Sequence, residues 1–201
     1  MCHENLTDYA HKGGYVGALV GRFGNRIGGA KFTIDGTEYS VSVNEKGNCL
    51  HGGLDARFSH KLWDAEIDGN TLVLSLVSPD GDGGFPGTLS VKVFFTLTDE
   101  NALVIEYAAT SDKDTICNLT NHSYFNIGGQ DTVLNHELFI KSRQITPVDD
   151  ELICHGDYMD IDGTPYSFYP AKKLGKDMFS SAKFIKQCNG YDFNYCIERE
   201  G

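Results

Sequence analysis

Between Leu72 and Ala109, apolar residues recur at every second position, and this period of two most limits how the chain can fold. Leu72, Leu74 and Leu76 form one run, Leu89, Val91, Val93, Phe95 and Leu97 a second, and Leu103, Ile105, Tyr107 and Ala109 a third. Successive side chains of a strand point to opposite faces, so each run can bury one face and wet the other. The loop Ser78–Gly87 and the turn Asp99-Glu100-Asn101 separate the runs. Upstream, Phe32 and Ile34 lead into Asp35-Gly36, and Tyr39, Val41 and Val43 resume the alternation, which predicts a hairpin. One more short strand is predicted over His136–Lys141, and strand-like sequence returns at Tyr195-Cys196-Ile197. Lys172–Phe184 comes nearest to a 3.6-residue stripe and is the one candidate for a short surface helix. Short strands joined by Gly, Asp and Asn turns predict an all-β chain, an antiparallel β-sandwich or barrel, for which the 23 glycines supply turns. Without a repeat, linker or composition break, residues 1–201 are expected to form a single domain.

A net charge of −11 argues against nucleic acid or an anionic membrane as partner, because both are held by Lys and Arg. It permits a neutral small molecule. Met1–Asp8 lacks the basic and apolar regions of a secretory signal, and no apolar run approaches the length of a membrane span. The six cysteines, Cys2, Cys49, Cys117, Cys154, Cys188 and Cys196, include no CxxC pair. Free thiols in a reducing cytoplasm are therefore expected.

Four segments carry residues suited to chemistry. Asn118-Leu119-Thr120-Asn121-His122-Ser123-Tyr124-Phe125-Asn126 spends its positions on hydrogen-bonding groups where a strand would alternate, and surrounds His122 with amides and hydroxyls. Such a ring suits a polyhydroxylated ligand, and an imidazole exchanges protons near neutral pH. Asn48-Cys49-Leu50-His51-Gly52-Gly53 puts a second histidine before two glycines. In Gly21–Gly29, Arg26 offers a rigid fork of donors. Asn189–Asn194 sets Asp192 between a glycine turn and a strand. Read singly, each of the last three is more readily an ordinary loop or turn. The glycines of Gly21–Gly29 do not follow the dinucleotide spacing. Asp80-Gly81-Asp82-Gly83 lacks the glutamate of a calcium loop, since the twelfth position is Val91. No HExxH spacing indicates a metal, and Ser123 lacks a nucleophile elbow.

Taken in order, these segments resemble the aldose 1-epimerase (galactose mutarotase) family. The resemblance runs through Gly21-Arg22, Asn25-Arg26-Ile27, Lys31-Phe32, Asp35-Gly36, Leu50-His51-Gly52-Gly53, Trp63, Asp80–Gly87, Asn118–Asn126, Thr146-Pro147-Val148, Gly163-Thr164-Pro165 and Tyr191-Asp192, covering nearly the whole chain. It implies a large twisted β-sandwich with a sugar cleft. It also implies interconversion of the α and β anomers of a free hexose such as galactose or glucose, with no metal or organic cofactor. By the same resemblance, His122 is the acid that protonates the ring oxygen and His51 hydrogen-bonds the sugar nearby. Asn25 and Arg26 position the sugar, and Asp192 accepts from its hydroxyls. Tyr124, two residues beyond His122, is expected to share its face on a strand and to line the cleft.

The resemblance also implies a glutamate base in a strand well past the Asp192 motif. Glu198 and Glu200 follow Asp192 too soon, so no base is assigned and it is expected beyond Gly201. The sequence reads as trimmed at both ends, more so at the C-terminus. Tyr166-Ser167-Phe168 departs from the family's usual aromatic, aspartate and phenylalanine. A sugar-binding domain of the same fold without catalysis is the alternative. The preferred hexose and the oligomeric state are not legible.

Overall fold

The computed structural model describes residues 4–11 and 14–198, so Cys2 and Glu200 lie outside the described residues. The chain divides into two compact units, one reaching Tyr124 and one starting at Phe125. The first holds α1 (Leu6–His11) and strands β1 (Leu19–Val20), β2 (Arg26–Ile27), β3 (Lys31–Ile34), β4 (Thr37–Ser40), β5 (Cys49–Leu50), β6 (Asp64–Asp68), β7 (Thr71–Ser78), β8 (Leu89–Leu97), β9 (Leu103–Ser111) and β10 (Thr120–Asn121). The second holds β11 (Glu137–Leu138), β12 (Ser142–Thr146), β13 (Met159–Asp160), β14 (Lys172–Lys173), α2 (Lys183–Cys188) and β15 (Asn194–Ile197). Every strand pairing is antiparallel, as the alternating runs predict.

In the first unit, the alternating runs form the sheet β6-β7-β8-β9. Leu89, Val91 and Val93 are buried while Ser90 and Lys92 are exposed, the period of two made visible. With Phe58 and Leu76 they form one core, against which Trp63, Leu74, Phe95, Ile105 and Leu119 pack. Full burial of each such aliphatic side chain contributes about 1.5–3 kcal/mol. The expectation of a buried face on β9 fails for most of its length. All nine residues pair with β8, yet Leu103 and Tyr107 are exposed and only Ile105 packs against the core. As the outer strand of the sheet, β9 follows the period of its neighbour without filling a core.

The β3–β4 hairpin turns at Asp35 and Gly36, with φ of 47° and 79°, the left-handed pair that matches strand twist. Its second strand stops at Ser40, short of the expected Val43. The Val41 N–H still donates to the Ala30 carbonyl across the hairpin, but that of Ser42 turns to the Gly83 carbonyl, so the chain leaves the ladder there, and Val43 is exposed. Arg22 is fully buried and donates to the Ser78 hydroxyl and to the carbonyls of Ser78, Pro79 and Pro86. It clasps the Ser78–Gly87 loop. The acidic residues of that loop have local partners: Asp82 meets Lys61 and Ser78, and Asp80 meets Lys113 and the Gly87 N–H. The turn reading holds there.

In the second unit, β12 lies between β13 and β15, over a core of Ile145, Ile161, Tyr166, Phe184 and Ile185. The helix expected over Lys172–Phe184 is largely absent. Lys172–Lys173 instead pairs with β11, and the Leu174 and Gly175 N–H groups donate to the carbonyls of His136 and Leu134. Backbone donors spent on a neighbouring segment cannot build a helix, so α2 begins only at Lys183. It ends at Asn189, whose φ of 55° makes a left-handed cap. The predicted His136–Lys141 strand shrinks to Glu137–Leu138, and the predicted Tyr195–Ile197 strand is present as β15. Among the described residues, no helix is long and apolar enough to cross a membrane.

Candidate active site

Two short strand pairs frame the site in the first unit. Arg26 stands opposite Leu50 in β2–β5, and Leu19 opposite Asn121 in β1–β10. Asn118 ties the two pairs together. Its N–H donates to the Arg22 carbonyl at 2.8 Å, its own carbonyl accepts the Gly24 N–H at 2.7 Å, and its side-chain amide donates to the Gly24 carbonyl. One amide of the polar company around His122 is thus committed to the scaffold.

His51 is held from several sides. The Asn25 N–H donates to its Nδ1 at 3.0 Å, and the His51 N–H donates to the Asn25 carbonyl at 3.0 Å. A ring nitrogen that accepts a backbone N–H carries no proton, so this bond assigns the neutral ring's proton to Nε2. Burial, together with the positive charges of His122 and Arg26, pushes the His51 pKa down to about 4, against an opposing pull from Glu45. At neutral pH it is an uncharged donor through Nε2. The Asn44 side chain clamps the turn, accepting the Leu50 N–H at 2.7 Å and donating to the carbonyls of Leu50 and Gly53. Gly52 has a φ of 90°, and a Cβ there would stand 2.0 Å from the Gly21 carbonyl oxygen. The glycine after His51 is therefore a packing requirement.

Arg26 meets Glu45 in a two-pronged ion pair, Nε to Oε2 at 2.5 Å and Nη2 to Oε1 at 2.8 Å, while Nη1 donates to the Asn25 side chain at 3.3 Å. The hydrogen bond from Arg26 holds the Glu45 carboxyl below its usual range. Glu45 fixes the guanidinium plane, a role the sequence did not signal.

His122 follows β10 and is anchored by its backbone, with its N–H donating to Ala18 at 2.9 Å and its carbonyl accepting from Gly17 at 3.1 Å. Its ring meets no hydrogen-bonding partner among the described residues and packs beside three other rings. The His51 centroid lies 5.4 Å away at 87°, and that of Tyr124 at 5.1 Å. The strand expected to align His122 with Tyr124 ends at Asn121, yet the two rings still touch. A fourth ring, Tyr15, meets both histidines, at 4.7 Å from His51 and 5.9 Å from His122. Sequence reasoning missed Tyr15, although a bulky residue in Gly14-Tyr15-Val16-Gly17 was a signal. Tyr15, Asn25 and His51 all hold positive φ, at 54°, 66° and 53°. Such conformations are disfavoured for side-chain-bearing residues and collect at functional sites.

The first unit thus brings together Asn25, Arg26, His51, His122 and Tyr124. Asp192 belongs to the second unit, exposed just ahead of β15, with a carboxylate that has no hydrogen-bond partner among the described residues. No group of three His, Cys, Asp or Glu side chains is placed to hold a metal among the described residues.

Comparison with known proteins gives this geometry a family. The galactose mutarotase of Sus scrofa is 41% identical over 196 residues, covering 96% of this chain and 55% of that protein. The aldose 1-epimerase of Escherichia coli K12 is 36% identical over 195 residues, covering 96% and 56%. This chain spans about half the length of the curated relatives it matches. Among solved structures, the galactose 1-epimerase of Lactobacillus acidophilus superposes with a TM-score of 0.88 at 28% identity, over 96% of this chain and 58% of that one. The expected all-β, mutarotase-like sandwich class stands on that match. The sequence model of the family described as aldose 1-epimerase matches residues 2–200, and the chain belongs to that family.

Proposed function

We propose that this protein interconverts the α and β anomers of a free hexose such as galactose or glucose by acid–base ring opening. The observation that carries the reading is the histidine pair, two imidazoles 5.4 Å apart and nearly perpendicular, one fixed as an Nε2 donor and the other without a hydrogen-bond partner among the described residues. In the proposed reaction, His122 delivers a proton to the ring oxygen as the C1–O5 bond breaks, the anomeric hydroxyl gives up its proton to water as it becomes the aldehyde oxygen, and His51 donates a hydrogen bond beside the ring oxygen. General acid catalysis of this kind contributes ~10²–10⁴-fold. Asn25, Arg26 and Tyr124 position the sugar, and Asp192 accepts from its hydroxyls. The Arg26 fork, its plane held by Glu45, presents donors suited to sugar oxygens. No base is assigned among the described residues. The reading calls on no metal or organic cofactor.

The family match runs through both units, which supports reading residues 1–201 as part of one sandwich domain. The five described cysteines are free thiols, which supports a cytoplasmic site of action.

The test follows optical rotation after freshly dissolved α-galactose is mixed with the expressed protein. A faster approach to equilibrium than in buffer is expected, slower than a side-chain base would allow, and His122→Ala should lose that acceleration with an unchanged circular dichroism spectrum. Equilibration at the buffer rate by the unmutated protein sinks the reading.

A further inference from the structure

Tyr15 touches both candidate catalytic side chains, and neither the sequence motifs nor the family resemblance gives it a part. Its ring stands edge-on to His51 at 4.7 Å and 67°, and stacks on His122 at 5.9 Å and 24°. Its left-handed φ of 54° is a conformation that a glycine would adopt more easily, so the position keeps a large ring despite its backbone. The anchoring of the segment is shared with His122: two residues on, the Gly17 N–H donates to the His122 carbonyl, and the Ala18 N–H closes a turn onto the Tyr15 carbonyl at 2.9 Å. The tyrosine hydroxyl has no hydrogen-bond partner among the described residues, so the ring faces are its contribution. The His122 ring in turn has no hydrogen-bond partner among the described residues and meets the rings of Tyr15, His51 and Tyr124.

We propose that Tyr15 is a positioning residue, a ring that sets the angle between the His51 and His122 imidazoles and keeps water from between them. This rests on the reading of the two histidines as the sugar-processing pair. The groups that face His51 are His122, Arg26, Glu45 and the Tyr15 ring itself. Removing that ring hydrates His51, and hydration relieves the burial that disfavours its charged form. A misplaced His122 ring costs rate at the chemical step rather than affinity.

The experiment compares Tyr15→Phe, Tyr15→Leu and Tyr15→Ala by two independent readouts, the NMR titration of the histidine ring nitrogens and the kcat and KM of anomer equilibration. Tyr15→Phe should resemble the unmutated protein in both. Tyr15→Ala should move the His51 titration upward from about 4 and lower kcat roughly 10- to 100-fold with little change in KM. Tyr15→Leu, which preserves bulk, guards against a simple folding failure and should lie between them. The proposal is overturned if Tyr15→Ala leaves the His51 titration and kcat unmoved, or if Tyr15→Phe is as impaired as Tyr15→Ala. Should the unmutated protein not accelerate equilibration, the functional reading fails, while the titration still decides whether Tyr15 controls the pair.

Discussion

The loop that carries His51 and the segment that carries His122 present the same ring in opposite ways. Around His51, Asn25 binds Nδ1, Asn44 clamps the turn and Gly52 presses against Gly21, so backbone, tautomer and charge are all constrained. Around His122, the described residues give hydrogen bonds to the backbone, from Ala18 and Gly17, and none to the imidazole, which meets the rings of Tyr15, His51 and Tyr124. A proton donor that must be recharged each turnover needs an unencumbered nitrogen. A hydrogen-bond donor that only orients the substrate gains from having its tautomer fixed in advance. The difference fits the division of labour proposed for the two residues.

The sharpest way to break this comparison is to delete each ring. His122→Ala should lower the rate of anomer equilibration ~10²–10⁴-fold, the full contribution of a general acid. His51→Ala should cost about 10–100-fold, the worth of one strong hydrogen bond. Polarimetry at matched sugar concentration measures both. If the His51 variant proves the slower, the assignment is reversed.

The His51 loop can also be broken without touching the ring. Gly52→Ala sets a methyl 2.0 Å from the Gly21 carbonyl at a φ of 90°. The backbone must shift, at about 3 kcal/mol of stability. A lower urea midpoint is expected, with loss of activity following from the displaced His51. A midpoint unchanged within error would show that the close approach to Gly21 is not what shapes the turn.

These two regions also differ in how far the sequence revealed them. His122 was legible because its neighbours broke the period of two, and His51 because two glycines followed it. Asn25 and Arg26 were legible through their place in an ordered set of motifs. Tyr15, Asn44 and Glu45 were not, because their importance lies in what they touch. Glu45 reaches back 19 positions to Arg26, and Tyr15 reaches forward 36 positions to His51, contacts that no local pattern encodes. The strands followed the same rule. β8 kept its period because both neighbours pair with it, whereas β9 kept the period and lost the burial because burial depends on what lies opposite. The Lys172–Phe184 stripe misled for the same reason, its backbone donors having found Leu134 and His136.

Acid separates the regions by charge. The folded-state pKa of His51, about 4, lies below the ordinary histidine value of 6.5. The unfolded chain therefore binds a proton that the fold excludes. The stability linked to neutral His51 is fully present above the unfolded value and is lost as pH falls from about 6.5 toward 4. Protonation also removes the lone pair that accepts the Asn25 N–H. Urea midpoints across this window should fall with pH in the unmutated protein and fall less in His51→Asn. Parallel slopes in the two proteins would show that His51 is not buried neutral.

The mildest probe acts through Glu45. Glu45→Gln keeps the side chain's size and one acceptor oxygen for Arg26 but removes the charge. The pair is partly exposed, 13% on the arginine side and 28% on the glutamate side, so solvent screening limits the loss of stability to about 1 kcal/mol. The Glu45 charge raises the His51 pKa, so the substitution should lower the His51 titration further and leave the ring more firmly neutral. A loosened Arg26 fork should raise KM a few-fold, while kcat, which the proposed mechanism ties to His122, should stay within about twofold. A fall in kcat comparable to that of His122→Ala would mean that the constrained loop and the free ring are one coupled unit rather than two with separate tasks.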